Sequence, residues 1–131
     1  MLKLNIVGAF WQGIVVRKLC FDFMGEIELN PETGEFTGTM SDHFGNSKIT
    51  GKTDKQTLTY VKTYEPGEKG DDKPIQYSYS ALGGVTMPDY TGAWLGKYQL
   101  AIREDMRGDA LFELLSTDKA YCILIPPGDL F

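Results

Sequence analysis

Residues Phe21–Tyr64 read FDFMGEIELNPETGEFTGTMSDHFGNSKITGKTDKQTLTYVKTY, and this stretch decides the fold. Phe21, Phe23, Gly25, Ile27 and Leu29 alternate with Asp22, Glu26 and Glu28, the period of two expected of a strand with one buried face. Asn30-Pro31-Glu32-Thr33-Gly34 interrupts it. Pro31 presets its own φ and Gly34 accepts a positive one, which predicts a hairpin built on a type I turn followed by a glycine bulge. Phe36, Gly38 and Met40 then oppose Glu35, Thr37, Thr39 and Ser41. His43-Phe44-Gly45-Asn46 turns the chain, and Ile49, Gly51 and Thr53 oppose Lys48, Thr50 and Lys52.

Gly25, Gly38 and Gly51 recur at intervals of thirteen. Reflection through the two turns predicts Gly25 beside Gly38 and Gly38 beside Gly51, a row on the apolar face of neighbouring strands. A row without side chains lets a sheet coil sharply into a barrel, or leaves bare backbone for a ligand to lie on. Closure is the plainer reading, and the second stays open.

Working outward, Thr53-Asp54-Lys55 turns into Gln56–Tyr64, where Leu58, Tyr60, Lys62 and Tyr64 share a face. Reflection sets Leu58 beside Gly51, so this face is expected to be the inner one, with Lys62 pointing inward. Glu65–Pro74 is too rich in Gly and Pro for a helix or central strand and reads as a loop at one mouth. Ile75, Tyr77, Tyr79 and Ala81 alternate with Gln76, Ser78 and Ser80; Gly83-Gly84 and Pro88 bracket the next connection. From Tyr90 to Arg103, the residues Gly92, Trp94, Gly96, Tyr98, Leu100 and Ile102 share a face, and the glycines flanking Trp94 suit a bent strand. Glu104–Asp109 reads as a turn, followed by strands at about Ala110–Ser116 and Ala120–Ile125. Pro126-Pro127-Gly128 stops the last, leaving Leu130 and Phe131 to pack back or plug an end.

Before the deciding stretch, Ile6–Lys18 fits a short helix or a strand, and Gly8 and Gly13 weaken the helix. The expectation is an irregular lead-in and a first strand around Gln12–Lys18, with Trp11 near one end. About eight consecutive strands joined by short turns predict an all-β fold, a single antiparallel up-and-down barrel spanning residues 1–131. A barrel of that size holds side chains or one small ligand.

A net charge of −5 without a basic cluster argues against nucleic acid, since phosphate binding needs concentrated Lys and Arg. No apolar run reaches the length of a membrane-spanning helix, and Met1–Gly8 is too short and mixed for a secretory signal, so a cytoplasmic protein is expected. Cys20 and Cys122 are isolated, are expected to be buried thiols, and would approach each other if the first and last strands met.

The meander with a glycine in successive strands, together with Gly92-Ala93-Trp94-Leu95-Gly96-Lys97-Tyr98, resembles the calycin-type barrels, namely lipocalins, fatty-acid-binding proteins and avidins. In lipocalins the Gly-x-Trp motif lies on the first strand, whereas here it is late and Gly8-Ala9-Phe10-Trp11 only approximates it. Gly34-Glu35-Phe36-Thr37-Gly38-Thr39 is similar to a stretch of avidins, yet their asparagine and serine biotin contacts have no counterparts at matching positions. The resemblance implies a calycin-like barrel and transfers no ligand.

His43 is the sole histidine, placed in a turn beside Asp42 and Phe44, where adjacent side chains point to opposite faces. Glu68, Asp71 and Asp72 are interrupted by lysines and lack the spacing of a calcium loop. Neither a zinc set, a phosphate-cradling loop nor a Gly-x-Ser-x-Gly elbow is present, so no cofactor, metal or catalytic residue is expected. What stands out is the inner face. Tyr60, Lys62, Tyr64, Tyr77, Tyr79, Trp94 and Tyr98 crowd it, near Met40 and Phe36. Each buried hydroxyl needs a partner and a buried lysine is costly unless paired. Those seven are the candidate binding residues for a small, partly apolar molecule, with an anionic group as one way to satisfy Lys62. Two alternatives stay open. One is a structural protein with a filled barrel that self-associates, as a homo-oligomer, through the uncharged strip Thr57, Thr59, Val61 and Thr63. The other is a small enzyme using an interior tyrosine or Lys62, disfavoured because no titratable pair is visible.

Overall fold

A computed structural model describes residues 1–14, 17–70, 73–82, 90–100 and 119–126. Eight strands run in chain order: β1 (Leu2–Ile14), β2 (Arg17–Leu29), β3 (Glu35–Asp42), β4 (Gly45–Thr53), β5 (Thr57–Tyr64), β6 (Ile75–Ala81), β7 (Gly92–Leu100) and β8 (Lys119–Ile125). Each pairs antiparallel with the next, and β8 returns to β1, so the sheet is a closed up-and-down barrel. Closure satisfies the backbone groups that an edge strand would leave open. No α-helix occurs among the described residues.

Period-two patterning explains the wall. On β6, Ile75, Tyr77, Tyr79 and Ala81 are buried while Gln76, Ser78 and Ser80 are exposed. The same alternation on β2 and β3 buries Phe23, Ile27, Leu29, Phe36 and Met40 against the inner face of β5. As the Leu58 parity predicts, Leu58, Tyr60, Lys62 and Tyr64 all point inward and are buried.

The first strand differs from the expectation of an irregular lead-in followed by a strand at Gln12–Lys18. β1 already begins at Leu2, and the expected strand straddles two, because Ile14 pairs with Arg17 across the β1–β2 connection. Gly8 misled the reading as a breaker. A side chain there would run into the Tyr121 carbonyl and the Phe23 ring, so the glycine marks a close approach of strands within one long ribbon. Trp11 does lie near one end, paired with Cys20 and Lys119.

The glycines share the inner face but do not form a row. Gly25 pairs with Met40, Gly38 with Ile27 and Ile49, and Gly51 with Phe36 and Tyr60. Loop length explains the shift. Between β2 and β3 the closing pair is Asn30 and Glu35, with Asn30 N–H donating to Glu35 O at 2.8 Å and Gly34 N–H to Asn30 O at 2.7 Å. The loop is thus one residue longer than a bulge hairpin, while Gly34 takes the expected positive φ of 78°. Between β3 and β4 only His43 and Phe44 turn the chain, pairing Asp42 with Gly45. Leu58 accordingly sits beside Thr53, not Gly51. Each inner glycine therefore lies against a large neighbour, and a Cβ at Gly38 or Gly51 would strike the Glu26 or Thr59 carbonyl oxygen. Bending is what these positions provide.

The connections after β1, β3, β5 and β7 mark one end, called the upper end here. Glu65–Gly70 folds over that end: Gly70 N–H donates to Phe44 O at 2.9 Å, and Asn46 N–H to the Glu68 carboxylate at 2.8 Å. At the lower end the Tyr90 hydroxyl donates to Pro31 O at 2.8 Å, crossing from the start of β7 to the β2–β3 turn on the far side of the barrel. Lys55 lies over the Tyr90 ring at 4.7 Å. Cys20 is exposed, contrary to expectation, because it faces outward on β2; Cys122 is buried, and both thiols are free. Asp71, Asp72, Gly83, Gly84, Pro88, the expected strand at 110–116, Leu130 and Phe131 lie outside the described residues.

Candidate functional site

Parity from Leu58 brings Lys62 into the barrel, and its partner comes from β3. Counting in twos from Phe36 through Gly38 and Met40 reaches Asp42, so that carboxylate also points inward. Its Oδ1 accepts the Phe44 N–H at 2.7 Å, a local turn that orients the side chain, and its Oδ2 meets Lys62 Nζ at 3.0 Å. Both side chains are shut off from solvent, at 1% exposure for Lys62 and 0% for Asp42. Tyr64 completes the group, accepting from Lys62 Nζ at 2.9 Å and donating to Asp42 Oδ2 at 2.7 Å. Three rings surround the ammonium: Phe10 and Tyr64 with centroids at 4.7 Å and Tyr77 at 5.1 Å. Phe44 packs over the group at the upper end, its ring 6.2 Å from Phe10 and 6.4 Å from Tyr64.

Burial and partners pull on these groups in opposite directions. Desolvation lowers the Lys62 pKa, and the Asp42 carboxylate opposes that by favouring the ammonium. Tyr64 is pushed far above the ordinary phenol value, by burial first and by Asp42 next. Hydrogen bonds no longer than 3.0 Å join the trio, and its two opposite charges answer each other.

Below it, the inner faces of β5, β6 and β7 carry a stack of phenol rings. Tyr60 lies 4.7 Å from Tyr77, and Tyr77 5.2 Å from Tyr98, with interplanar angles of 20° and 22°. Tyr60 and Tyr79 join hydroxyls at 2.7 Å. Their phenols and that of Tyr77 are raised well above 10.0, with burial the first cause. The Tyr98 hydroxyl donates to Trp11 O at 2.8 Å, bridging β7 to β1 beside Lys119, the first residue of β8.

Trp94 sits lower on β7, 1% exposed, and its indole N–H finds no hydrogen-bond partner among the described residues. Its cross-strand neighbours, Ala81 and Cys122, are small, and Gly96 beside it faces Ala120. All seven residues expected on the inner face are thus buried there, the upper six in a contiguous aromatic and polar cluster and Trp94 at its lower edge. Asp42 is the interior residue that sequence reading missed. It had been assigned to the turn with His43, although the Met40 parity reaches it.

His43 is exposed on the outside, its ring 5.2 Å from those of Phe21 and Phe44. Among the described residues, no three His, Cys, Asp or Glu side chains converge as a metal site would require. The strip Thr57, Thr59, Val61 and Thr63 faces outward beside Gln76, Ser78 and Ser80. No protein-family model, no curated protein and no solved structure matches this chain. What the geometry establishes is a closed eight-stranded antiparallel barrel whose interior is aromatic and carries a buried ion pair.

Proposed function

We propose that this is a calycin-like binding barrel that takes a small, partly apolar molecule into its interior, without catalysis. The observation carrying the reading is the Trp94 N–H. A buried donor without an acceptor forfeits roughly 1–3 kcal/mol, a cost that a bound acceptor atom removes. The cross-strand neighbours of Trp94, Ala81 and Cys122, are small, as is the Gly96–Ala120 pair one step above, and a stack of tyrosine rings lies beyond them. An anionic ligand was attractive while Lys62 stood alone. With Asp42 at 3.0 Å the lysine needs no further counter-charge, so the reading narrows to a neutral molecule bearing a carbonyl, ether or similar acceptor.

Native mass spectrometry of gently purified protein, repeated after denaturation, tests this. The expected result is extra mass that denaturation removes and that Trp94→Phe weakens while leaving the fold intact. Bare protein in every preparation, together with no uptake from a panel of small aromatic ketones and ethers, would overturn it.

A further inference from the structure

The two ends of the barrel are closed differently. At the upper end Phe44 packs over the Asp42–Lys62–Tyr64 group, and the Glu65–Gly70 segment is tied down by Glu65 N–H to Asn46 O at 2.9 Å, Gly70 N–H to Phe44 O at 2.9 Å and Asn46 N–H to Glu68 at 2.8 Å. Opening there would wet a buried ion pair. At the lower end the inner parity of β7 runs down from Trp94 through Gly92, which has no side chain, to Tyr90. Tyr90 lies half-buried against the core, and its hydroxyl reaches Pro31 O at 2.8 Å on the β2–β3 turn. Since β7 and β3 are four places apart either way round the barrel, the ring spans the mouth from one side to the other, below the indole. Among the described residues its side chain has two polar fastenings, the bond to exposed Pro31 and the Lys55 ammonium 4.7 Å over the ring. Tyr90 holds φ at 68° and Lys55 at 75°, the left-handed region that a bulky side chain enters only under strain. Two touching residues held this way make a closure that gives up strain as it opens.

We propose that the interior is entered at the lower end, with the Tyr90 ring as a gate that swings off Pro31 and Lys55 to admit a molecule to Trp94. The inference rests on the reading of Trp94 as a ligand's anchor. Gly92 is the hinge: it lies between the gate and the indole, and its φ of 137° falls where glycine moves freely and other residues do not. The upper end offers no such device. A molecule entering there would have to part the Asp42–Lys62 pair and then pass the tyrosine stack, whereas the lower route leaves both intact. The gate opens by losing one hydrogen bond and one cation–ring contact at the rim, where water replaces them.

Acrylamide quenching of Trp94 fluorescence tests the gate without any ligand, in a Trp11→Phe background that leaves Trp94 as the sole indole. Tyr90→Gly removes the ring and suits the positive φ, and it should raise the quenching constant about threefold or more with circular dichroism unchanged. Tyr90→Phe keeps the ring and loses the Pro31 bond; it should raise the constant by a smaller factor, and it decides the matter if the glycine variant does not fold. Glu68→Ala, at the upper end, should leave the constant at its background value. A Trp94 that stays equally protected in the Tyr90 variants, or that Glu68→Ala exposes as much as they do, overturns the proposal. Failure of the binding reading looks different: native mass spectra stay bare while the Tyr90 variants still open the way to Trp94.

Discussion

Asp42 and Lys62, twenty positions apart on two strands that are not neighbours, meet at 3.0 Å inside the barrel with β4 lying between them in the wall. The bond bridges β3 to β5 along the inner face, past β4, near the upper end. Breaking such a pair from one side leaves an uncompensated buried charge.

Lys62→Met is therefore expected to destabilise the protein by about 3–5 kcal/mol, because Asp42 remains buried without its cation. Adding Asp42→Asn should recover at least half of that loss. The amide carbonyl can still accept the Phe44 N–H, and no charge is left inside. Urea unfolding of the two single variants and the double variant closes the cycle; additive losses would show that the two residues are not coupled.

Stability should fall steeply above about pH 10. Tyr60, Tyr64, Tyr77 and Tyr79 keep their protons in the folded state because burial raises their pKa values, while in the unfolded chain they ionise near 10.0. Above that value the unfolded state binds fewer protons than the folded one. Each tyrosine then removes up to about 1.4 kcal/mol per pH unit. Lys62 acts in the opposite sense: its pKa is lowered by burial, so deprotonation relieves the folded state as pH rises through that lowered value toward 10.5. Four groups outweigh one. Thermal melts from pH 8 to 11, with tyrosinate absorbance recorded alongside, should show the phenols ionising together with unfolding and not before it.

Substituting the inner glycines should separate contact from conformation. Gly38→Ala drives a methyl into the Glu26 carbonyl and the Ile27 side chain and should cost about 3 kcal/mol or more through backbone displacement. Gly67→Ala meets nothing within 4 Å but must hold a φ of 86°, so its cost should stay near 1–2 kcal/mol. Chemical denaturation ranks the two. Equal losses would remove the close-approach argument.

Tyr90→Phe removes one hydrogen bond, to Pro31 O across the lower end, and keeps the ring beneath Lys55. A loss of about 1 kcal/mol is expected. Hydrogen exchange should also show the Asn30–Gly34 turn opening more readily, and no change there would mean that the hydroxyl does not tie the two ends of the floor.

Parity was legible in the sequence and register was not. Alternation from Leu58 placed Lys62 inside, and alternation along Ile75–Ala81 placed Tyr77 and Tyr79 beside it, because side-chain direction repeats every two residues whatever the turns do. Gly38 was set beside the wrong partners because pairing depends on how many residues each loop holds, and Asn30–Glu35 and His43–Phe44 depart from simple reflection in opposite directions. Asp42 was hidden by its neighbour, since Asp-His reads as a turn although the strand continues through the aspartate. The unpartnered Trp94 N–H could not be read at all. It depends on what lies across the barrel, and a one-dimensional pattern carries no such information.

The β1–β8 seam also governs how the chain reaches this state. Ile6 pairs with Leu124, so the sheet cannot close until β8 has been synthesised. Until then β1 presents an open edge, and β2 to β7 can only accumulate as successive hairpins. Contacts this distant in sequence slow folding. A permutant that joined the two ends by a short linker and began at the Asp54–Gln56 turn would make β1–β8 a local hairpin and move the long-range seam to β4–β5, so it should fold about as slowly, with a different pair of strands closing last.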